Sequence, residues 1–176
     1  ALIEMAARKR VPRVFIHVIT DGRDTSPTGG VRYLGQLQAV LDKTGTGRVA
    51  SISGRYYSMD RDKRWERIKL GYDAIVDGVA EQTTTAPIQA LQATYEAGVT
   101  DEFVKPIVVV DADQHPVGPV RDGDSIVFFN YRASVLADGS HERLSPQFYY
   151  YRNRLGLMGE WIRSGQEVQV GAARVG

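Results

Sequence analysis

Cysteine is absent from the 176 residues, and with it go disulfides, thiolate zinc sites and a cysteine nucleophile; the absence suits a reducing compartment. An excess of either charge is lacking as well: 22 basic and 21 acidic residues leave a net charge of +1. No bulk field therefore marks a nucleic-acid or membrane-surface binder, and any anion recognition has to come from local clustering. No apolar run reaches the length of a membrane span, and residues 1–13 break their apolar positions with Arg8, Lys9 and Arg10, so neither a signal peptide nor a membrane anchor is expected. The cytoplasm is the expected location. Histidine is scarce, at positions 17, 115 and 141. His17 sits in strand-like sequence and reads as a packed, hydrogen-bonded residue rather than a catalyst, while His115 and His141 have no partner pattern. A Gly-x-Ser-x-Gly elbow, a Walker loop and a dinucleotide fingerprint are all missing.

What is present is ordinary globular composition, 43% hydrophobic and 24% charged, enough for one substantial core. Leu2, Ile3, Met5 and Ala6 fall at helical spacing. Residues 13–19 (RVFIHVI) are short, rich in β-branched side chains and run into Asp21-Gly22-Arg23-Asp24, as a buried strand opening into a loop does. Val31, Leu34, Leu37 and Leu41 then repeat at three and four residues, with Gly45 and Gly47 as stop signals. Residues 49–53 predict a second strand opening into residues 54–61, after which Trp65, Ile68, Tyr72, Ile75 and Val76 mark another helical stripe. Ile88, Leu91 and Tyr95, with Pro87 in the first turn and Gly98 beyond the end, predict a third helix. Residues 107–110 and 126–129 are apolar runs separated by a turn-rich stretch, read as a hairpin or two sheet strands. Leu155, Met158 and Ile162 again have helical spacing, weakened by Gly156, Gly159 and Gly165. The alternation predicts an α/β sandwich, a central and mainly parallel sheet flanked by helices, with its polar loops gathered at one sheet edge.

Arginine recurs where strands end. In Asp21-Gly22-Arg23-Asp24 a guanidinium stands beside two carboxylates; its planar fork suits a carboxylate or phosphate, with a neighbouring Asp accepting from a ligand hydroxyl. The competing reading is a loop salt bridge between Arg23 and Asp21 or Asp24. In the loop Gly54-Arg55-Tyr56-Tyr57-Ser58-Met59-Asp60-Arg61 two arginines frame two tyrosines, combining anion forks with rigid aromatic walls. Its structural alternative packs Tyr56 or Tyr57 and Met59 into the core and pairs the arginines with Asp60 and Asp62. Asn130-Tyr131-Arg132 delivers another arginine after the run 126–129. A metal among Asp21, Asp24, Asp60 and Asp62 is not expected, because Arg23, Arg61, Lys63 and Arg64 are interleaved with them.

The stretches HVITDGRDTSPTGG, SISGRYYSMDRDKRWERIKLGYDAIVDG and AGVTDEFVKPIVV, followed by FFNYR, resemble the central domain of cofactor-independent phosphoglycerate mutases. The resemblance covers residues 1–132, implied to be the substrate-binding domain, and leaves residues 133–176 as a divergent segment packed on the same domain or partly disordered. It implies an isomerase of glycolysis and gluconeogenesis that interconverts 3-phosphoglycerate and 2-phosphoglycerate. In that family a phosphatase-like domain holds two manganese ions and a serine that carries the phosphoryl group, and the second domain, similar to this chain, retains the glycerate. By the resemblance the substrate-binding positions are Arg23, Asp24, Arg55, Arg61 and Arg132, with Asp24 also placed to take a proton from the glycerate hydroxyl. No cofactor or metal is expected in the chain itself; its implied partners are the two phosphoglycerates and the phosphatase-like domain, without nucleic acid or membrane.

The departures also carry information. Family members continue Asn-Phe/Tyr-Arg-x-Asp-Arg, whereas Ser134 and Val135 stand at the last two of those positions, so part of the implied phosphate grip is replaced. The serine nucleophile, the manganese ligands and a further substrate-binding histidine are not among these residues, and the chain alone is expected not to isomerise. The alternative is a non-catalytic phosphometabolite-binding module or a degenerate fragment.

Overall fold

The computed structural model describes residues 1–60 and 62–129 in full and, beyond them, only the backbone of the strands at 131–132, 143–144, 147–152 and 155–160. It divides into two compact units, Ala1–Val120 and Arg121–Gly176.

The first unit is an α/β layer structure. Its elements run α1 (Leu2–Arg8), β1 (Phe15–Thr20), α2 (Gly30–Thr44), β2 (Arg48–Gly54), a single turn α3 (Arg55–Ser58) and α4 (Trp65–Tyr72), which continues into a π-helical turn Asp73–Asp77. Next come β3 (Gln82–Thr84), α5 (Pro87–Glu96), a 3-10 turn Asp101–Phe103 and β4 (Ile107–Val109). The four strands lie in the order β1-β2-β4-β3. β1 and β2 are parallel, as are β3 and β4, and only β2 and β4 run antiparallel, so the expected mainly parallel sheet is a mixed one with a single reversed pairing.

Both faces of the sheet are covered. Ile107 and Val109 of β4 join Leu34 and Leu41 of α2, Leu91 of α5, and Val49, Ile52 and Val104 in the main core, with Ile3 of α1 packed against it. Val108 and Val110 point the other way, to Ala74 in the π-helical turn. The helical stripe of α2 therefore faces the sheet as its spacing predicts. That of α4 does not: Trp65 and Tyr72 are 70% and 57% exposed. The inward face of this segment is instead made by Gly71 and Ala74, and a Cβ at Gly71 would stand 2.7 Å from the Ser58 hydroxyl, leaving no room for a large side chain there.

In the second unit β5 (Ser125–Phe128) pairs antiparallel with β8 (Gln147–Arg152), which pairs antiparallel with β9 (Leu155–Glu160), while β6 (Tyr131–Arg132) pairs with β7 (Arg143–Leu144). The apolar runs at 107–110 and 126–129 thus belong to different sheets and form no hairpin with each other. The spacing of Leu155 and Met158 does not make a helix either: residues 155–160 are extended. Gly156 and Gly159 disfavour a helix, and the facing strand carries Phe148, Tyr149, Tyr150 and Tyr151, all strong strand formers. Ile162 lies outside the described residues, as does most of the stretch read as a divergent segment. Among the described residues no helix is long and apolar enough to cross a membrane.

Candidate functional site

The parallel pairing of β1 with β2 is what builds the site. Thr20 stands opposite Gly54 in the register, so the two strands end side by side and release their loops at the same sheet edge. Asp21 follows one strand and Arg55 the other. The Arg55 guanidinium bridges two carboxylates of the first loop: Nη1 donates to Asp21 Oδ1 in a short contact and to Asp24 Oδ2 at 2.8 Å. The Arg55 side chain is 16% exposed, Asp21 30% and Asp24 80%, so the cation is held from inside the protein and one of its carboxylates stands in solvent. The hydrogen bond that the guanidinium donates to Asp24, joined by that to Asp21, raises its pKa above the ordinary value against the opposing effect of burial. Within the loop Asp24 N–H donates to Asp21 Oδ2 at 3.1 Å and Gly22 N–H to Thr25 Oγ1 at 3.4 Å. Beside the cluster a cavity of about 280 Å³ is lined by Thr20, Asp21, Thr25, Gly30 and Tyr33 among others.

The tyrosine loop splits between its two readings. The Tyr56 ring meets Phe103 edge-on at 5.1 Å and Tyr57 at 5.2 Å, and the Arg67 guanidinium covers it at 3.8 Å. That is a packed, rigid wall. Asp60, whose side chain is 3% exposed, pairs with Arg67 at 3.5 Å and accepts from the N–H groups of Asp62 and Arg64 at 3.1 and 2.8 Å. Its carboxylate closes the loop, while Arg55 turns away to the neighbouring strand end.

Of the five residues singled out in the sequence, Arg55 and Asp24 are brought together and Arg23 lies exposed in the same loop, with no ion pair among the described residues. The competing reading, a loop salt bridge between Arg23 and Asp21 or Asp24, is not formed; both carboxylates pair with Arg55. Arg61 lies outside the described residues. Arg132 is described only as backbone, in β6 of the second unit. Sequence reasoning missed Asp101, a buried acid beneath the site with 1% exposure, since a lone Asp between a helix and a strand carries no distinguishing pattern.

The same carboxylates do not suit a divalent-cation pair. A metal held by Asp21 and Asp24 would compete directly with the guanidinium already at ion-pair distance from both. A divalent cation therefore does not fit between these two carboxylates. His17 behaves as the packed residue its position predicts: Nδ1 lies 2.8 Å from the Ser51 hydroxyl, and burial pulls its pKa down to about 4 against a hydrogen bond to the Gly118 backbone. A larger concavity of about 580 Å³ runs along β3 and α5, but its one charged lining residue, Lys105, is paired with Glu81 at 3.0 Å.

The model of one family, the N-terminus of BPG-independent phosphoglycerate mutases, matches residues 1–138. The chain belongs to this family. It is 55% identical over 133 residues to the 2,3-bisphosphoglycerate-independent phosphoglycerate mutase of Thermomicrobium roseum, a match covering 76% of this chain and 25% of that protein. Against the enzyme of the same name from Myxococcus xanthus the identity is 42% over 163 residues, 92% of this chain and 31% of the relative. That match is too long to stop at Arg132 and reaches into the last stretch of sequence. Among solved structures, a crystal structure of the Leishmania mexicana phosphoglycerate mutase at low cobalt concentration superposes with a TM-score of 0.67 at 32% identity, covering 70% of this chain and 24% of that one. The chain thus spans about a quarter of the length of the mutases it matches.

Proposed function

We propose that the chain is the substrate-holding part of a cofactor-independent phosphoglycerate mutase, interconverting 3-phosphoglycerate and 2-phosphoglycerate in glycolysis and gluconeogenesis together with a phosphatase-like domain of the same enzyme. Residues 1–132 form the holding domain in this reading, in the cytoplasm. The observation that carries it is the bridge from Arg55 to Asp21 and Asp24 across two adjacent strand ends. A three-carbon phosphate ester offers a carboxylate, a phosphate and a hydroxyl. Arginine forks hold the first two in fixed orientation, each charge-assisted contact contributing about 1.5–3 kcal/mol once water is excluded. Arg55 is fixed from within and Arg23 lies in the adjoining loop, and the family resemblance adds Arg61 and Arg132 as candidate substrate-binding positions.

Asp24 is the acceptor for the hydroxyl. Its carboxylate is the more exposed of the pair, at the solvent edge of the cluster where a glycerate would meet it. There it takes the proton of the hydroxyl as that oxygen forms its bond to phosphorus and the phosphoserine oxygen leaves. Two manganese ions in the phosphatase-like domain would supply electrostatic stabilisation of the transferring phosphoryl group. Retention of the glycerate between the two transfers separates a mutase from a phosphatase, and that retention is assigned to the residues described here.

The test is a graft: residues 1–132 replace the matching stretch of the Thermomicrobium roseum enzyme. Isomerisation of 3-phosphoglycerate by the graft is the expected result, together with its loss and a gain of phosphate release in the Arg55→Ala graft. A folded graft that binds phosphoglycerate and isomerises none of it would favour the non-catalytic binding module, which Val135 in place of the second arginine also suits.

A further inference from the structure

One segment packs beneath both strand ends of the site. Leaving α5, the chain passes under the carboxyl ends of both β1 and β2 in the turn Asp101–Phe103. The hydroxyl of Thr20, the last residue of β1, donates to the Asp101 carbonyl at 2.7 Å. Gly54, the last residue of β2, donates its N–H to the Val104 carbonyl at 2.7 Å. The approach is so close that a Cβ on Gly54 would stand 2.2 Å from the Glu102 carbonyl oxygen, and one on Gly22 would stand 2.7 Å from Asp101 Cβ.

Asp101 also reaches the far side of the loop. Its N–H donates to the Pro27 carbonyl at 2.8 Å, and its carboxyl accepts the Gly30 N–H, at the start of α2, at 2.8 Å. The other carboxyl oxygen accepts the Tyr95 hydroxyl, which itself accepts the Val31 N–H at 3.2 Å. Burial, and then this bond to Asp101, push the Tyr95 pKa up, so the phenol stays a donor. Among the described residues no buried side-chain polar atom is left without a partner. A carboxyl buried to 1% exposure is costly unless its acceptors are filled, and here both are filled by groups that frame residues 21–29.

We propose that Asp101 is the positioning residue of the site. Through its carbonyl it holds the β1 end of the Asp21-to-Asp24 loop, through its N–H and carboxyl it holds the α2 end, and through the adjoining turn it holds the end of β2. It therefore sets the separation of Arg55 from Asp21 and Asp24 without touching a ligand. The consequence for phosphoglycerate rests on the functional reading above; the consequence for Arg55 does not.

The experiment uses the full chain, labelled with nitrogen-15, in four forms: wild type, Asp101→Asn, Tyr95→Phe and Leu41→Ala. Leu41 lies in the last turns of α2, 3% exposed and within the main core, so its truncation lowers stability without touching the turn. Two readouts are taken, the Arg55 Nε–H resonance and the dissociation constant for 3-phosphoglycerate. In Asp101→Asn the Arg55 resonance is expected to collapse towards that of a solvated arginine and binding to weaken about tenfold, the ratio expected for one displaced hydrogen bond. Tyr95→Phe, which removes one oxygen and carries the proposal should Asp101→Asn fail to fold, shifts both in the same direction by less. Leu41→Ala, with an equal or larger drop in Tm, changes neither. An unmoved Arg55 resonance in both clasp variants overturns the proposal, as does an equal loss in Leu41→Ala. A wild type that binds no 3-phosphoglycerate would sink the functional reading alone, and the Arg55 resonance would still decide the positioning role.

Discussion

Two acidic clusters in the first unit are close in composition and opposite in architecture. In Asp111, Asp113 and His115 three ligand-type side chains converge, yet the hydrogen bonds are local. Asp111 Oδ1 accepts the N–H groups of Asp113 and His115 at 3.0 and 2.9 Å, and Asp111 N–H donates to the His115 carbonyl at 2.9 Å. The cluster closes its own turn. Asp21 and Asp24 instead meet Arg55 from 34 and 31 residues away along the chain, brought together by the parallel register of β1 on β2. A side-chain set drawn from separate elements can be held in one geometry while leaving room for a ligand; one that closes its own turn has committed an oxygen, here Asp111 Oδ1, to two backbone donors.

The comparison can be broken most forcefully at Gly54. Alanine there sets a Cβ against the Glu102 carbonyl oxygen, and we expect a loss of at least about 1–3 kcal/mol, the usual cost of overpacking, read as a fall in denaturation midpoint. A fully stable Gly54→Ala would mean that the turn beneath the strand ends is not tightly seated.

Of similar size is the effect of pH, carried by the half-buried His17. The His17 pKa is about 4 in the folded chain against an ordinary 6.5. The unfolded chain therefore binds the extra proton between those values. Stability is whole above pH 6.5 and falls as pH drops towards 4, by about 3 kcal/mol in all. Urea midpoints measured across this range should slope for the wild type and flatten for His17→Gln. Identical slopes in the two would remove burial of His17 as the cause.

Arg55→Ala sharpens the contrast from the ligand side. It should weaken 3-phosphoglycerate binding by roughly ten- to a hundredfold, equivalent to one charge-assisted contact, with a small change in Tm. Asp111→Asn should leave binding untouched and cost at most about 1 kcal/mol through the weakened turn. Smallest of all is the expected response of the Asp111 cluster to manganese: weak, non-saturating shifts, because its shared oxygen already accepts two backbone donors. Saturable binding there would contradict the assignment as a structural turn.

Much of this was legible in the sequence where the signal is local. The α2 stripe of Leu34 and Leu41, the strands around Ile16 and Ile52, and the start of α5 at Pro87 all follow from spacing and turn chemistry. The three-residue edge strand Gln82–Thr84 is too short to show a period. Trp65 and Tyr72 fit a helical stripe yet face outward, because close approach to Ser58 reserves the inward face for Gly71. In the site, the arginine at the strand end was readable, but its partners were not. Arg55 finds Asp21 and Asp24 through sheet register, and Asp101 finds Gly30 through a fold-back of 71 residues, neither of which leaves a periodic trace.

The central claim is tested most directly by titrating 3-phosphoglycerate into the labelled full chain, with inorganic sulfate at equal ionic strength alongside. Shifts that saturate at Asp21, Gly22, Arg23, Asp24 and Arg55, that sulfate does not reproduce, and that leave residues 111–115 unmoved are the predicted result. Shifts that sulfate matches, or that appear equally at residues 111–115, would contradict it.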